Sequence, residues 1–258
     1  MMSIKKLSLE QWFLNYQLKS IQKNHVLNPV MVEVDITKLD ERWREKRNKP
    51  PYTAILIKAL AMTAKIHPSI NQVLFARPWG DRLVSPPTIN VNFPHYITDE
   101  GRDYLIASTV VSANEKSITE IHDFIRSSCQ KKLSDTIIAK HFKKNRNTFW
   151  MRAYLRIIHF IAYSFPSLYL KKNGGGLSVS SMLNHVEEGF RCTAIPWGPT
   201  AMTVCSCSVT TENGGNRIMR LGLSWDHCTG EGNEMVASVK TLSKILQGER
   251  ENSLEELL

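Results

Sequence analysis

The segment "LSWDHCTGEGNEM", residues 223–235, decides how this chain is read. An aromatic strand end, Leu223 to Trp225, runs into His227 and then into a loop carrying Gly230 and Gly232. Glycine accepts backbone geometry that other residues resist, so a tight loop is expected there. A helix follows from about Gly232 to Gln247, with Met235, Val239, Leu242 and Leu246 on one stripe. Strand-to-helix loops on a rigid frame often carry chemistry. A histidine taken alone is more often structural, so His227 is a candidate base only in company with a second component.

Outward from this segment, strands and helices alternate without repeats. After the glycine run "KKNGGG", the stretches "LSVSS" (177–181), "AMTVCSCSV" (201–209) and "RIMRLGLSW" (217–225) read as three strands. "VMVEVDIT" (30–37) sets Val30, Val32, Val34 and Ile36 against Glu33, Asp35 and Thr37, the pattern of a half-buried strand. "TINVNFP" alternates again and "DYLIASTVV" is a fuller strand. "SLEQ" (8–11) has the form of a capping box opening a helix whose apolar side is Trp12, Phe13 and Tyr16. "YTAILIKALAMTAKIHP" (52–68) is a helix apolar nearly all round, closed by Pro68. "SITE" (117–120) opens another, with Ile118, Ile121, Phe124 and Ile125 as its stripe. Mixed elements with antiparallel connections late in the chain predict one α/β sandwich, a single domain over residues 1–258.

Composition narrows the class. A chain of 258 residues with 42% hydrophobic content builds a substantial core. No run of eighteen apolar residues free of charge occurs, which argues against a membrane span. "MMSIKKLSLEQWF" lacks the long apolar segment of a secretory signal. The five cysteines (Cys129, Cys192, Cys205, Cys207 and Cys228) are odd in number and show no metal-ligand grouping in their spacing. Reduced thiols in a cytoplasmic protein, with no metal site, are the expectation. Cys205 and Cys207, two apart, share a strand face as small packing residues. The net charge of +9 gathers at 42–49 ("RWREKRNK") and at 131–156. Signatures of nucleic-acid-binding folds are missing, so no nucleic-acid partner is expected. The basic surface suits the phosphates of coenzyme A or an acidic carrier protein, and equally a solvated face without a specific ligand.

Residues 141–170, "HFKKNRNTFWMRAYLRIIHFIAYSFPSLYL", stand apart as a basic and aromatic helical stretch. Arg152 and Arg156 are four apart and share a helix face, while Trp150, Leu155, Ile158, Phe160 and Ile161 supply apolar bulk. A packed helical hairpin, a lid over an acyl-binding tunnel and contact with a membrane surface are the three readings.

The second component for His227 comes from a family. "LSWDHCTGEG" resembles the "LSYDHRxxDG" end of the dihydrolipoamide acyltransferase cores of 2-oxoacid dehydrogenase complexes, and the His-x-x-x-Asp-Gly signature of chloramphenicol acetyltransferase. Further blocks resemble the family in the same order. "YTAILIKALAMTAKIHPSINQVL" is similar to its central helix, and "INVNFPHYITDEGRDYLIASTVVSANEKSITEIHDFIR" to its paired strands and following helix. "GGGLSVSSML" resembles "GGTFTISNLG", and "WGPTAMTVCSCSV" the strand after it. The resemblance runs from about Met31 to the last helix, interrupted by 141–170. It implies a chloramphenicol acetyltransferase-like fold, a mixed sheet flanked by helices.

The same resemblance implies a mechanism and an assembly. The histidine acts as general base on a thiol, hydroxyl or amine acceptor, which attacks an acyl thioester directly. A hydroxyl donor steadies the oxyanion; it aligns with Ser180, with Ser181 as the off-by-one alternative. Base and donor come from neighbouring subunits of a homotrimer. Asp226, Glu231 and Gly232 fall at positions supporting the histidine loop, and Glu231 stands where the family has aspartate. That aspartate pairs with an arginine in the first helix; around Leu14–Lys19 this chain offers only Lys19, and lysine lacks the planar fork of arginine, so the pairing is expected to be rebuilt. Cys228 replaces the arginine after the histidine; adjacency in sequence does not make it a nucleophile. No "DKA" lipoylation segment occurs, which predicts a stand-alone biosynthetic acyltransferase. No permanently bound cofactor is expected, and coenzyme A or an acyl carrier protein brings the phosphopantetheine thioester as co-substrate. The alternative is a trimeric scaffold of impaired activity, or a carrier-protein-binding module.

Overall fold

The computed structural model describes residues 7–46, 51–76, 79–135, 148–183, 189–196, 198–212 and 214–249. Seven helices are described: α1 (Leu9–Asn24), α2 (Thr37–Lys46), α3 (Tyr52–Ile66), α4 (Ile118–Cys129), α5 (Phe149–Ser164), α6 (Pro166–Asn173) and α7 (Gly232–Gln247). The strands are β1 (Leu27–Asp35), β2 (Val73–Phe75), β3 (Arg82–Val84), β4 (Val91–Asp99), β5 (Arg102–Val110), β6 (Leu177–Ser181), β7 (Met202–Thr211) and β8 (Arg217–Asp226).

Six strands form one mixed sheet in the order β1-β8-β7-β6-β4-β5, and β2 pairs only with β3. β6 is parallel to β4 and to β7, while the remaining pairs are antiparallel. The β4–β5 hairpin turns through Glu100 and Gly101, both at positive φ (52° and 74°), the geometry that matches strand twist in a two-residue turn.

One sheet face carries the core. Val34, Val179, Val204, Leu221, Leu223 and Trp225 point there, against α3, α4 and α7. Every residue of α3 from Ala54 to Ala64 is buried, which its all-round apolar sequence requires. Lys58 remains tolerable there because its Nζ donates to the Asn114 carbonyl at 2.7 Å. The capping box at Ser8 and Gln11 is formed in both directions, and so is one at Ser117 and Glu120.

In the basic and aromatic stretch, residues 141–147 lie outside the described residues. Helix α5 sets Leu155 and Met151 against Leu9, Trp12, Phe13 and Tyr16 of α1. Arg152 and Arg156 lie over the Trp12 ring at 5.4 and 5.5 Å, so they engage α1 as cation–π partners. Phe149, Trp150, Ile157 and Phe160 are exposed. No helix among the described residues is long and apolar enough to cross a membrane.

His159 stacks on Tyr163 at 4.3 Å and meets Tyr16 edge-on at 5.1 Å, and burial lowers its pKa to about 4. The unfolded chain, with a histidine pKa near 6.5, therefore binds this proton first as pH falls. Stability is full above that value, declines through the window down to about 4, and is level below it. The loss is on the order of 2 kcal/mol after allowance for partial solvent access. Urea unfolding of wild type and His159→Phe at neutral and acidic pH checks this: the variant should lack that part of the decline. Equal declines in both would rule it out.

Candidate active site

The loop after β8 is built on Asp226, which is fully buried. Pairing of β1 with β8 puts Leu27 opposite Asp226, and so brings the end of α1 beside it. Asp226 Oδ2 accepts from His25 Nδ1 at 2.6 Å, and Oδ1 accepts from the backbone N–H of Val26 at 3.2 Å and of Cys228 at 3.1 Å. Its backbone carbonyl accepts from Thr229 through both N–H (3.0 Å) and Oγ1 (2.7 Å). His25 is a support that the sequence reading missed. It precedes β1 by two residues, and nothing in its local pattern points to a partner 201 positions away.

His227 leaves this anchored turn with an exposed side chain. Its backbone N–H donates to the Val26 carbonyl at 2.7 Å. Its Nδ1 is 3.2 Å from the Gly230 carbonyl oxygen. A carbonyl only accepts, so Nδ1 carries the hydrogen and Nε2 of the neutral ring holds a free lone pair. That is the tautomer a general base needs.

Gly230 is required by packing: a Cβ there would stand 2.9 Å from the Trp225 ring and 2.7 Å from Glu234 Oε2. Gly232 is not so constrained. It opens α7 with no left-handed φ and nothing within 4 Å of a Cβ position. Glu231 is the N-cap of α7 through its carbonyl, which accepts from Glu234 and Met235, and its side chain makes no cap bond. Glu231 forms no ion pair with Lys19 among the described residues; Asp226 with His25 holds the loop. Cys228 is exposed, and its thiol pKa is raised, first by desolvation and further by the Asp226 charge, the reverse of nucleophile activation.

Ser180 and Ser181 follow each other on β6 and therefore point to opposite sheet faces. Ser181 has the parity of Leu177 and Val179, which face the core; Ser180 faces the other way, both only partly buried. Through the ladder Ser180 lies level with Cys205 and Gly222. His227 is five residues beyond Gly222 and two strands over, about 17 Å along the strands and about 10 Å across them. One chain therefore does not bring His227 and Ser180 together.

A third grouping is new to the structure. The spacing of the cysteines suggested no ligand set, yet Cys192 Sγ lies 3.7 Å from Cys205 Sγ and 3.5 Å from Cys207 Sγ. A pocket of about 240 Å³ beside them is lined by Cys207, Leu221, Glu33, Arg191 and Arg220. Leu221 is six residues from His227, about 20 Å along β8, so this pocket is separate from the histidine loop.

The whole frame has a counterpart among solved structures. The cubic core of the pyruvate dehydrogenase multienzyme complex superposes with a TM-score of 0.71 at 17% identity, over 99% of this chain and 94% of that one. The chain has the chloramphenicol acetyltransferase-like fold. Chloramphenicol acetyltransferase itself matches over 94% of this chain and 99% of its own, with a TM-score of 0.52 and 12% identity. Dihydrolipoamide acetyltransferase of Azotobacter vinelandii matches with a TM-score of 0.71 and 15% identity, over 99% of this chain and 94% of that one. In that enzyme the catalytic roles studied were those of a serine, a histidine and an asparagine four residues after the histidine. No protein-family model matches the sequence, and no curated protein matches it either. The fold is thus shared with acyltransferases at identities where sequence comparison is silent.

Proposed function

We propose that this chain is an acyltransferase that moves an acyl group from a phosphopantetheine thioester, on coenzyme A or an acyl carrier protein, to a thiol, hydroxyl or amine in a biosynthetic reaction. The observation that carries this reading is the exposed His227 whose Nδ1 is tied to the Gly230 carbonyl, leaving Nε2 as a proton acceptor. Nε2 takes the proton of the acceptor as its heteroatom attacks the thioester carbonyl. The resulting oxyanion is met by the Ser180 hydroxyl, and collapse expels the pantetheine thiolate, which recovers the proton from the imidazolium. The acyl group ends on the acceptor and no covalent enzyme intermediate forms.

Because His227 and Ser180 of one chain are far apart, the site is proposed to join two protomers of a homotrimer, His227 from one and Ser180 from the next. The excess of basic residues favours the phosphates of the donor. Glu231, without an ion pair among the described residues, favours the rival reading of a trimeric scaffold or carrier-binding module. The Azotobacter enzyme, however, has an uncharged asparagine at the equivalent spacing from its histidine, so a charge at that position is not a condition of catalysis. Turnover of a panel of acyl-coenzyme A and acyl-carrier donors by wild type and by His227→Ala separates the two. Thiol release in wild type that collapses in the variant is expected; equal rates would leave only the scaffold.

A further inference from the structure

The geometry points to a metal site: Cys192, Cys205 and Cys207 bind one Zn²⁺ ion through three thiolates on the sheet face opposite α3, α4 and α7. All three sulfurs lie within 4.8 Å of one another. A Zn–S bond of about 2.3 Å in tetrahedral geometry sets sulfurs about 3.8 Å apart. The separations of 3.7 and 3.5 Å from Cys192 are close to that spacing and far from a covalent S–S bond.

Two local features create the cluster, and neither serves the histidine loop. The register of β7 on β8 slips between Ser206 and Ser208, which makes Cys207 the extra residue of a β-bulge. In a regular strand the side chains of residues two apart are separated by about 6.7 Å, so the bulge is what draws Cys207 Sγ toward Cys205. The second feature is Gly222. A Cβ on it would meet the Cys192 carbonyl oxygen at 1.7 Å, so only glycine lets the 190–194 segment lie flat across β7 and β8. That segment is tied down on both sides of the cysteine: Ser208 Oγ donates to the Phe190 carbonyl at 3.4 Å and Ser224 Oγ to the Ala194 carbonyl at 2.8 Å.

Three thiolates around Zn²⁺ leave one net negative charge. Arg191 and Arg220 line the pocket that Cys207 also lines; they share Glu33 at 2.7 and 2.9 Å, and Arg220 also pairs with Glu212 at 3.1 Å, so two cations there meet two carboxylates. Cys207 Sγ donates to the Cys192 carbonyl at 3.0 Å, and burial raises the pKa of Cys192 and Cys205, while a metal takes thiolates. Binding therefore releases protons, and affinity falls as pH falls.

The test uses the full chain, purified in reductant and titrated with Zn²⁺ against a chromophoric chelator. Co²⁺ serves as the spectroscopic probe of thiolate ligation. One Zn²⁺ per chain is expected, with a thiolate-to-cobalt charge-transfer band and a rise in Tm on zinc addition. Cys192 lies on an irregular segment, so Cys192→Ser leaves the strands intact and is the decisive variant. It should weaken Zn²⁺ by at least about a hundredfold, more than the loss of a merely supporting partner. Cys205→Ser and Cys207→Ser should lose the band, and Cys129→Ser and Cys228→Ser should keep it. Absence of stoichiometric binding overturns the assignment, as does binding that survives Cys192→Ser.

Discussion

His227→Ala is expected to slow acyl transfer by about 10²–10⁴-fold, the contribution of a positioned general base. At about 1.36 kcal/mol per tenfold this is roughly 3–5 kcal/mol of barrier. Stability should move little, within about 0.5 kcal/mol, because the side chain is exposed and has one hydrogen bond, to Gly230. The backbone bond from His227 to Val26 survives the change. A loss of rate with unchanged unfolding separates chemistry from collapse of the loop. Ser180→Ala should cost about 10²–10³-fold as a lost oxyanion donor. The separation of these residues within one chain makes a sharper outcome available. Mixed in equal amounts and reassembled, the two inactive variants should regain about a quarter of wild-type activity, since one interface in four combines an intact histidine with an intact serine. Mixtures as inactive as their parents would reject the shared site.

Asp226→Ala is expected to cost about 3–5 kcal/mol of folding stability, the scale of breaking a buried hydrogen-bonded pair. The residue is fully buried, and its removal leaves three donors without an acceptor: His25 Nδ1, Val26 N–H and Cys228 N–H. Each unsatisfied donor costs about 1–3 kcal/mol, and the three penalties overlap because the cavity relaxes. Asp226→Asn should be milder, near 1–2 kcal/mol. Its amide oxygen can still receive the two backbone N–H groups, and its amide nitrogen can donate to His25 Nδ1 once the ring hydrogen moves to Nε2. That nitrogen is buried without a partner among the described residues, so the tautomer switch is not free. Denaturant unfolding of the two variants beside wild type measures the ranking. An Asp226→Ala protein within 1 kcal/mol of wild type would show that the loop is held by something else. Acyl transfer should fall in both, because His227 follows Asp226 directly.

Much of the fold could be read from residues near one another in the chain. A capping box closes over four residues, and the boxes at Ser8 and Ser117 stand where each helix begins. Strand alternation needs only its own period, so Val30, Val32, Val34 and Ile36 face the core as their spacing implies. The stripe of Met235, Val239, Leu242 and Leu246 packs on the same core from α7. The histidine and its glycine loop were legible for the same reason, since five consecutive residues make the turn.

Contacts across the sheet were not legible, and they position the residues of the proposed site. The alternation of Leu177 and Val179 turns Ser180 off the core face, but its distance from His227 depends on how β6 registers with β7 and β7 with β8, which no serine encodes. His25 meets Asp226 only because β1 docks along β8, and that pairing stands in this chain where the family pattern has an aspartate–arginine pair. Cys192 reaches Cys205 and Cys207 through a one-residue bulge and a glycine on the neighbouring strand, features that spacing rules along a single segment cannot contain. Local hydrogen bonding and periodic burial act over a few residues and are written in short windows of sequence. Partner choice for a polar side chain is set by which strands lie side by side, and that arrangement exists only once the chain has packed.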